Sequence, residues 1–291
     1  MASSTSRNIF SLTVLLFLGV LATVTSAARS AGCGKSPSYQ TGGTYTLNVN
    51  NKQRQYMIKL PNNYDSNKAH RLIFTWHQLG GSAQKIVQGE DPNRGGALPY
   101  YGLAALDTNN DAIFVVPQGL NSGWGNQNGE DVTFFDQMVS AVENALCVET
   151  SLRFSTGFSY GGAMSHAVAC ARPTMVRAIA VISGAVLSGC SGGNTPVAYY
   201  GQHGTADSVL NVGMGRQIRD QYVRLNGCQA VSEPQPNGNN PTKVTYQNCR
   251  AGYPATWVIH NGDHNPSQRD SSGNIFAPGN TWQFFSQFSA A

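Results

Sequence analysis

The 291 residues predict an α/β protein, with a mostly parallel central sheet carrying helices on both faces. Two patterns lead to this reading. Short, β-branched apolar runs recur between helical patterns, and an opening pair of strands precedes them, an order that implies a parallel sheet covered on both sides. A third observation concerns domain count: the chain is long enough for a substantial core and has neither an internal repeat nor a low-complexity linker, which favours one domain.

At the N-terminus, MASSTSRNIFSLTVLLFLGVLATVTSAARSAGC combines one early cation (Arg7), an apolar run from Ile9 to Val24 and a small-residue end. This is the grammar of a secretory signal peptide. Residues 1–27 are therefore set apart, with cleavage expected between Ala27 and Ala31, and residues 32–291 are expected to form a single domain. A membrane anchor needs roughly 20 apolar residues. This run is short and ends in Ala-x-Ala-like residues, so the reading is secretion to the extracellular space, with no membrane partner.

TYTLNV (44–49) and QRQYMIKL (53–60) read as a hairpin around Asn50, Asn51 and Lys52. RLIFTW (71–76), AIFVVP (112–117), LRFSTG (152–157), RAIAVIS (177–183), PVAYYG (196–201) and ATWVIH (255–260) read as core strands. Helices are expected at DVTFFDQMVSAVENAL (131–146), YGGAMSHAVACA (160–171) and VGMGRQIRDQYVRLN (212–226), the last stopped by Gly227. The stretches 77–101 and 227–254 are expected to be loops shaping a cleft, and ligands of such sheets bind at the carboxyl ends of the strands.

Charged residues make up 12% of the chain, and the net charge of +4 has no clustered Lys/Arg tract behind it. Nucleic-acid binding needs a basic patch or stripe, so it is set aside. No Asn-x-Ser/Thr site has an allowed middle residue, so N-glycosylation is not expected. The six cysteines all follow the expected cleavage point, and an even count in an exported chain favours disulfides over metal ligation or redox catalysis. Cys228 and Cys249 bracket a Pro/Asn/Gly-rich excursion and are the preferred pair. Cys147 with Cys170 is expected from a strand followed by an antiparallel helix, and Cys33 with Cys190 by elimination.

The chemistry centres on STGFSYGGAMS (155–165). A serine hydroxyl needs a neighbouring base to become a nucleophile. A tight strand-to-helix turn exposes its oxygen above the sheet, and flanking glycines let the strained backbone fit. LRFSTG before Ser159 and YGGAMSHAVACA after it supply that context. The motif predicts an acid and then a histidine on later strand-end loops. Asp207 follows the strand at 196–201 in YYGQHGTAD, and His264 follows the strand at 255–260 in ATWVIHNGDHNP. Asp263 is the rival acid. His260 is a rival base but falls inside the apolar strand pattern and reads as a packed histidine. The His260/His264 spacing resembles paired metal ligands, but it lacks the helix this requires, so no metal is expected. His77, His203 and His166 read as structural. The charge developing on an ester carbonyl needs backbone donors: the amide of Tyr160 and, from TWHQLGGSA (75–83), that of Leu79, with Gln78 as the alternative. Trp124, Tyr100 and Tyr101 are candidates for stacking on a substrate ring.

These residues, together with AGCGK (31–35), RQYMIKLPNNY (54–64), WHQLGGSA, PQGLNSGWGN (117–126), HGTAD and NGDHNP, resemble secreted fungal feruloyl esterases of type C and type B. More loosely they are similar to acetyl xylan esterases and polyhydroxybutyrate depolymerase-like hydrolases. The resemblance spans nearly the whole mature chain. It implies an α/β-hydrolase fold, no cofactor, and a Ser159/His264/Asp207 acyl-enzyme mechanism that releases hydroxycinnamic acids from feruloylated arabinoxylan or pectin. One departure is His77-Gln78-Leu79 where many hydrolases have His-Gly. The alternative activities are acetyl xylan esterase and a non-catalytic carbohydrate-binding homologue. Catalysis through a neutral histidine predicts activity falling on the acid side.

Overall fold

Two left-handed asparagines, Asn50 and Asn51, form a two-residue turn of the kind that matches strand twist. They join β1 (Thr44–Val49) to β2 (Lys52–Lys59), so the second strand starts at Lys52. A computed structural model of the chain describes Met1, residues 28–238 and residues 240–290. The expected signal segment lies almost wholly outside the described residues. The strands continue as β3 (His70–Trp76), β4 (Ala112–Pro117), β5 (Val148–Phe158), β6 (Ala178–Ile182), β7 (Ala198–Gly204), β8 (Thr242–Thr245) and β9 (Ala255–His260). The helices are α1 (Ala83–Gln88), α2 (Leu103–Leu106), α3 (Glu130–Ala145), α4 (Tyr160–Ala171), α5 (Val212–Leu225) and α6 (Phe276–Ser286).

All nine strands form one sheet in the order β1-β2-β4-β3-β5-β6-β7-β9-β8. The six strands from β4 to β9 in that order pair in parallel, and the hairpin and β8 add antiparallel edges. Successive side chains of β3 go to opposite faces. Leu72, Phe74 and Trp76 pack with Phe135, Met138 and Met164 of α3 and α4, and Ile73 packs with Ile86, Leu103 and Phe285 of α1, α2 and α6. Burial on both faces explains why these strands are continuous apolar runs. The fold is that of the α/β hydrolases.

Four elements depart from the sequence reading, the short α2 among them. Within 77–101 the chain forms α1, capped by Ser82, whose Oγ accepts the Lys85 N–H. Within 227–254 it adds the edge strand β8, and near the C-terminus FAPGNTWQFFS forms α6. Its Gly, Pro and Asn hide the helical pattern, but Pro278 lies in the first turn, where no intrahelical N–H is lost.

Two of the three expected disulfides are corrected. The bridges are Cys33–Cys147, Cys170–Cys190 and Cys228–Cys249, so Cys147–Cys170 and Cys33–Cys190 do not form. The N-terminal segment runs beside the start of β5, with Ser30 N–H donating to Val148 O at 2.9 Å and Gly32 N–H to Glu143 O at 2.8 Å, and this delivers Cys33 to Cys147. Cys170, in the last turn of α4, meets instead the β6–β7 connection. Neither contact has a local sequence signal.

Candidate active site

Ser159 sits between β5 and α4 at φ 56° and ψ −119°, a region that costs a non-glycine residue of order 1–3 kcal/mol. The surroundings enforce it. The Ser159 N–H donates to Ile182 O at 2.9 Å, and the helix turns immediately after. A methyl group built on Gly161 would lie 2.0 Å from Trp76 O, and one on Gly157 would lie 2.4 Å from the carbonyl carbon of Gly161. The glycines of G-x-S-x-G are therefore places where β3, β5 and α4 meet without side chains.

The loop after β3 is held from the side of β4. The buried ring of His77 donates from Nδ1 to Gln78 O (2.7 Å) and accepts the Gly119 N–H at Nε2 (3.0 Å). Burial lowers its pKa to about 4, which keeps it the neutral acceptor that this arrangement needs. Gly80 N–H donates to Ser122 O at 2.8 Å. Among the described residues, neither the Leu79 nor the Tyr160 amide donates to a protein acceptor, so both are free for an incoming oxygen.

Asp207 and His264 come together from loops after β7 and β9, with His264 Nδ1–H donating to Asp207 Oδ2 at 2.7 Å. The other carboxylate oxygen accepts the N–H groups of Val209 (3.0 Å) and Leu210 (2.7 Å). His203, which the sequence left as structural, stands at the back of the acid, its buried Nε2 being 3.2 Å from Asp207 Oδ2 and 2.7 Å from Leu210 O. Burial pushes the Asp207 carboxyl up, but hydrogen bonds from His203, His264 and the Leu210 amide outweigh this and hold it well below the usual carboxylate range. With Nδ1 engaged, the Nε2 of His264 is its proton-accepting position. The imidazole lies 4.5 Å, centroid to centroid, from Phe158, the residue before Ser159. No hydrogen bond joins Ser159 Oγ to His264 among the described residues; such bonds are commonly long in unliganded enzymes and tighten with substrate.

The rival acid, Asp263, does not touch the imidazole ring by hydrogen bonding. It accepts the Ser208 N–H (2.7 Å), the Ser208 hydroxyl (2.8 Å) and the His264 N–H (2.7 Å), which ties the acid loop to the histidine loop. His260 is buried, accepts the Gly262 N–H at Nδ1 (3.1 Å) and packs edge-on against Phe276. Among the described residues, the metal-capable donors that cluster are His166, Cys170 and Cys190, and both cysteines are spent in their disulfide.

The three aromatic candidates are corrected. Trp124 is fully buried and donates its indole N–H to His77 O at 2.7 Å. Tyr100 and Tyr101 are buried in the layer of α1, α2 and α6, and the cavity that Tyr100 borders, with Leu98, Pro99 and Pro278, has none of Ser159, Asp207 and His264 in its lining. On the loops following β3, β4, β6 and β7 the exposed large apolar side chains are aliphatic: Leu79, Leu120, Val186, Leu187 and Val209. Sequence reading missed them because single aliphatic residues in loops carry no pattern. A polar cavity of about 180 Å³ lies near Tyr160, lined by Lys52, Asn121, Gln127 and Glu130 and by the backbone of Gly123 and Gly125.

A strained serine turn above a parallel sheet, with an acid and a histidine on later strand-end loops, defines the class of α/β-hydrolase fold proteins with a serine-hydrolase arrangement. The chain belongs to the feruloyl esterase family. It is 61% identical over 278 residues to feruloyl esterase D of Neurospora crassa, covering 94% of this chain and 96% of that one. It is 41% identical to feruloyl esterase C of Emericella nidulans, over 94% and 97% of the two chains. No protein-family model matches. Among solved structures, an acetyl xylan esterase from Aspergillus awamori superposes with a TM-score of 0.60 at 15% identity, covering 84% of this chain and 99% of that one. A ferulic acid esterase from Anaeromyces mucronatus superposes with a TM-score of 0.57 at 15% identity, covering 86% and 91%. These two likenesses bear on the fold alone.

Proposed function

We propose that the chain is a secreted, single-domain serine esterase that hydrolyses feruloyl and related hydroxycinnamoyl esters of plant polysaccharides through Ser159, His264 and Asp207. The observation that carries this is the 2.7 Å Asp207–His264 pair beside the strained Ser159 turn and two unspent amides, in a chain whose family is the feruloyl esterases. His264 Nε2 takes the Ser159 proton as Oγ attacks the ester carbonyl, and Asp207 holds the imidazole tautomer and stabilises the imidazolium. The oxyanion accepts from the Tyr160 and Leu79 amides. The sugar alkoxide leaves with the proton from His264, and a water activated by the same imidazole then cleaves the acyl-enzyme, releasing the cinnamic acid and free Ser159.

Leu79, Val186, Leu187 and Val209 supply apolar contact for the aromatic acyl group. The cavity near Tyr160 suits the sugar. Lys52 Nζ and a Glu130 oxygen stand 2.8 Å apart, a donor and an acceptor that match hydroxyls able to play both roles, whereas an anion is repelled by Glu130 and a cation by Lys52. Three disulfides suit an exported chain, and among the described residues no helix is long and apolar enough to cross a membrane.

The test is initial rates on methyl ferulate, methyl p-coumarate, methyl sinapate and acetylated xylan, comparing wild type with Ser159→Ala. Cleavage of the cinnamates, with a loss of about a million-fold in the variant, is the expected outcome. Release of acetate alone would replace the feruloyl reading by the acetyl one. Turnover unchanged in Ser159→Ala would remove the serine from the reaction.

A further inference from the structure

Residues 100–102 carry the chain through three consecutive left-handed positions: φ/ψ 51°/34° at Tyr100, 55°/29° at Tyr101 and 76°/−4° at Gly102. Glycine takes this region freely. Two successive tyrosines do not, and such strain persists only where the surroundings over-determine it. The determinant at Tyr101 is its hydroxyl. The ring is buried, and the O–H donates to Trp76 O at 2.7 Å.

That carbonyl is a strand end, and Trp76 pairs with Gly157 of β5. Trp76 is the last residue of β3 and leads directly into His77-Gln78-Leu79, and Phe158 is the last residue of β5 and leads directly into Ser159. The Trp76 carbonyl is also the group against which Gly161 packs in the first turn of α4. One phenol therefore sits where the strand carrying the Leu79 amide meets the strand carrying the nucleophile. Burial raises its pKa above that of an ordinary tyrosine, so the hydroxyl stays protonated across the working pH range.

We infer that Tyr101 is a positioning residue: its hydroxyl fixes the end of β3 against the end of β5, and so sets the distance between the Leu79 amide and Ser159 at which an oxyanion is held. The inference rests on the serine-esterase reading above. It accounts for the strained turn and gives Tyr101 a role in place of substrate stacking. It implies that removing the hydroxyl harms the transition state more than the bound substrate, because the amides are aimed at an oxygen that becomes charged only during reaction.

The experiment compares wild type, Tyr101→Phe and, as a control for loss of a buried phenol hydroxyl, Tyr56→Phe, whose hydroxyl is 2.7 Å from that of Tyr39. Thermal unfolding is measured for all three, and kinetics are normalised to folded, titrated enzyme. Tyr101→Phe is expected to lose about tenfold to a hundredfold in kcat on methyl ferulate with KM within about twofold, the scale of a sub-ångström to 1 Å misplacement. Tyr56→Phe should lower the unfolding temperature and leave kcat unaltered. An unchanged kcat in Tyr101→Phe, or a fall shared equally by Tyr56→Phe, overturns the inference, as does a change confined to KM. The rate of Ser159 labelling by a fluorophosphonate is followed in parallel. A wild type that is labelled but does not cleave methyl ferulate sinks the feruloyl reading, while a slower labelling of Tyr101→Phe still upholds the positioning role. A wild type that is not labelled sinks both.

Discussion

The two halves of the candidate site are held by different physics. On the nucleophile side, Ser159, Leu79 and Tyr160 are fixed by close backbone packing and by buried side chains that brace it: Gly161 against Trp76 O, the His77 ring between two loops, the Tyr101 phenol on the end of β3. On the acid and base side, Asp207 and His264 lie on loops of a chain segment 57 residues apart and are held by charge-assisted hydrogen bonds, with Asp263 and Ser208 linking the two loops near the surface. The first half is anchored to the core through the buried Trp76, His77 and Tyr101. The second depends on a few polar contacts, so its geometry is open to single carboxylate changes.

The largest break in this comparison is expected at Asp207. Asp207→Asn keeps an oxygen for the Val209 and Leu210 amides, yet it favours the wrong His264 tautomer. A fall of about 10⁴-fold in kcat is expected, by analogy with triad enzymes, and steady-state rates on methyl ferulate at neutral pH check it. Asp263→Ala should cost far less, about tenfold or under, because it loosens the loop that carries His264 without touching the imidazole. Equal losses in the two variants would mean that the acid of the site has been assigned to the wrong residue.

A smaller and broader effect sharpens the comparison through pH. Burial lowers the imidazoles of His77 and His166 on the nucleophile side, and of His260 behind the base, to about 4 each. The unfolded chain protonates them near pH ~6.5. The stability they support is therefore complete above about pH 6.5 and is lost as pH falls toward about 4, by up to about 1.4 kcal/mol per pH unit for each group. Asp207, depressed in the same sense, withdraws its share at still lower pH. Urea unfolding between about pH 7 and about pH 5 should show a falling midpoint, and a flat profile would mean that these histidines are not held neutral.

Much of the nucleophile side is legible in the sequence. Glycine is needed where backbones touch, so STGFSYGG records the close approach of β3, β5 and α4 in residue types alone. The strand-to-helix order around Ser159, and the strand ends before Asp207 and His264, follow from apolar runs bounded by turn residues. What is not legible is what packing decides. Trp124, Tyr100 and Tyr101 are aromatic residues near the site in sequence, and composition does not distinguish a ring facing substrate from one supporting a strand. His203 and Asp263 sit beside the residues they assist, but their partners are chosen by the way two loops approach.

The sequence by itself determined the class of fold, the strand order of the chemistry and the identity of the serine, acid and histidine candidates, because these depend on local pattern and on short segments of chain. Tertiary structure alone decided two of the three disulfide pairings, the burial of the three aromatics, the aliphatic side chains exposed around the site and the left-handed turn that places one phenol on the end of β3. Each of these depends on which surfaces meet across long stretches of chain, and local sequence pattern does not encode that meeting.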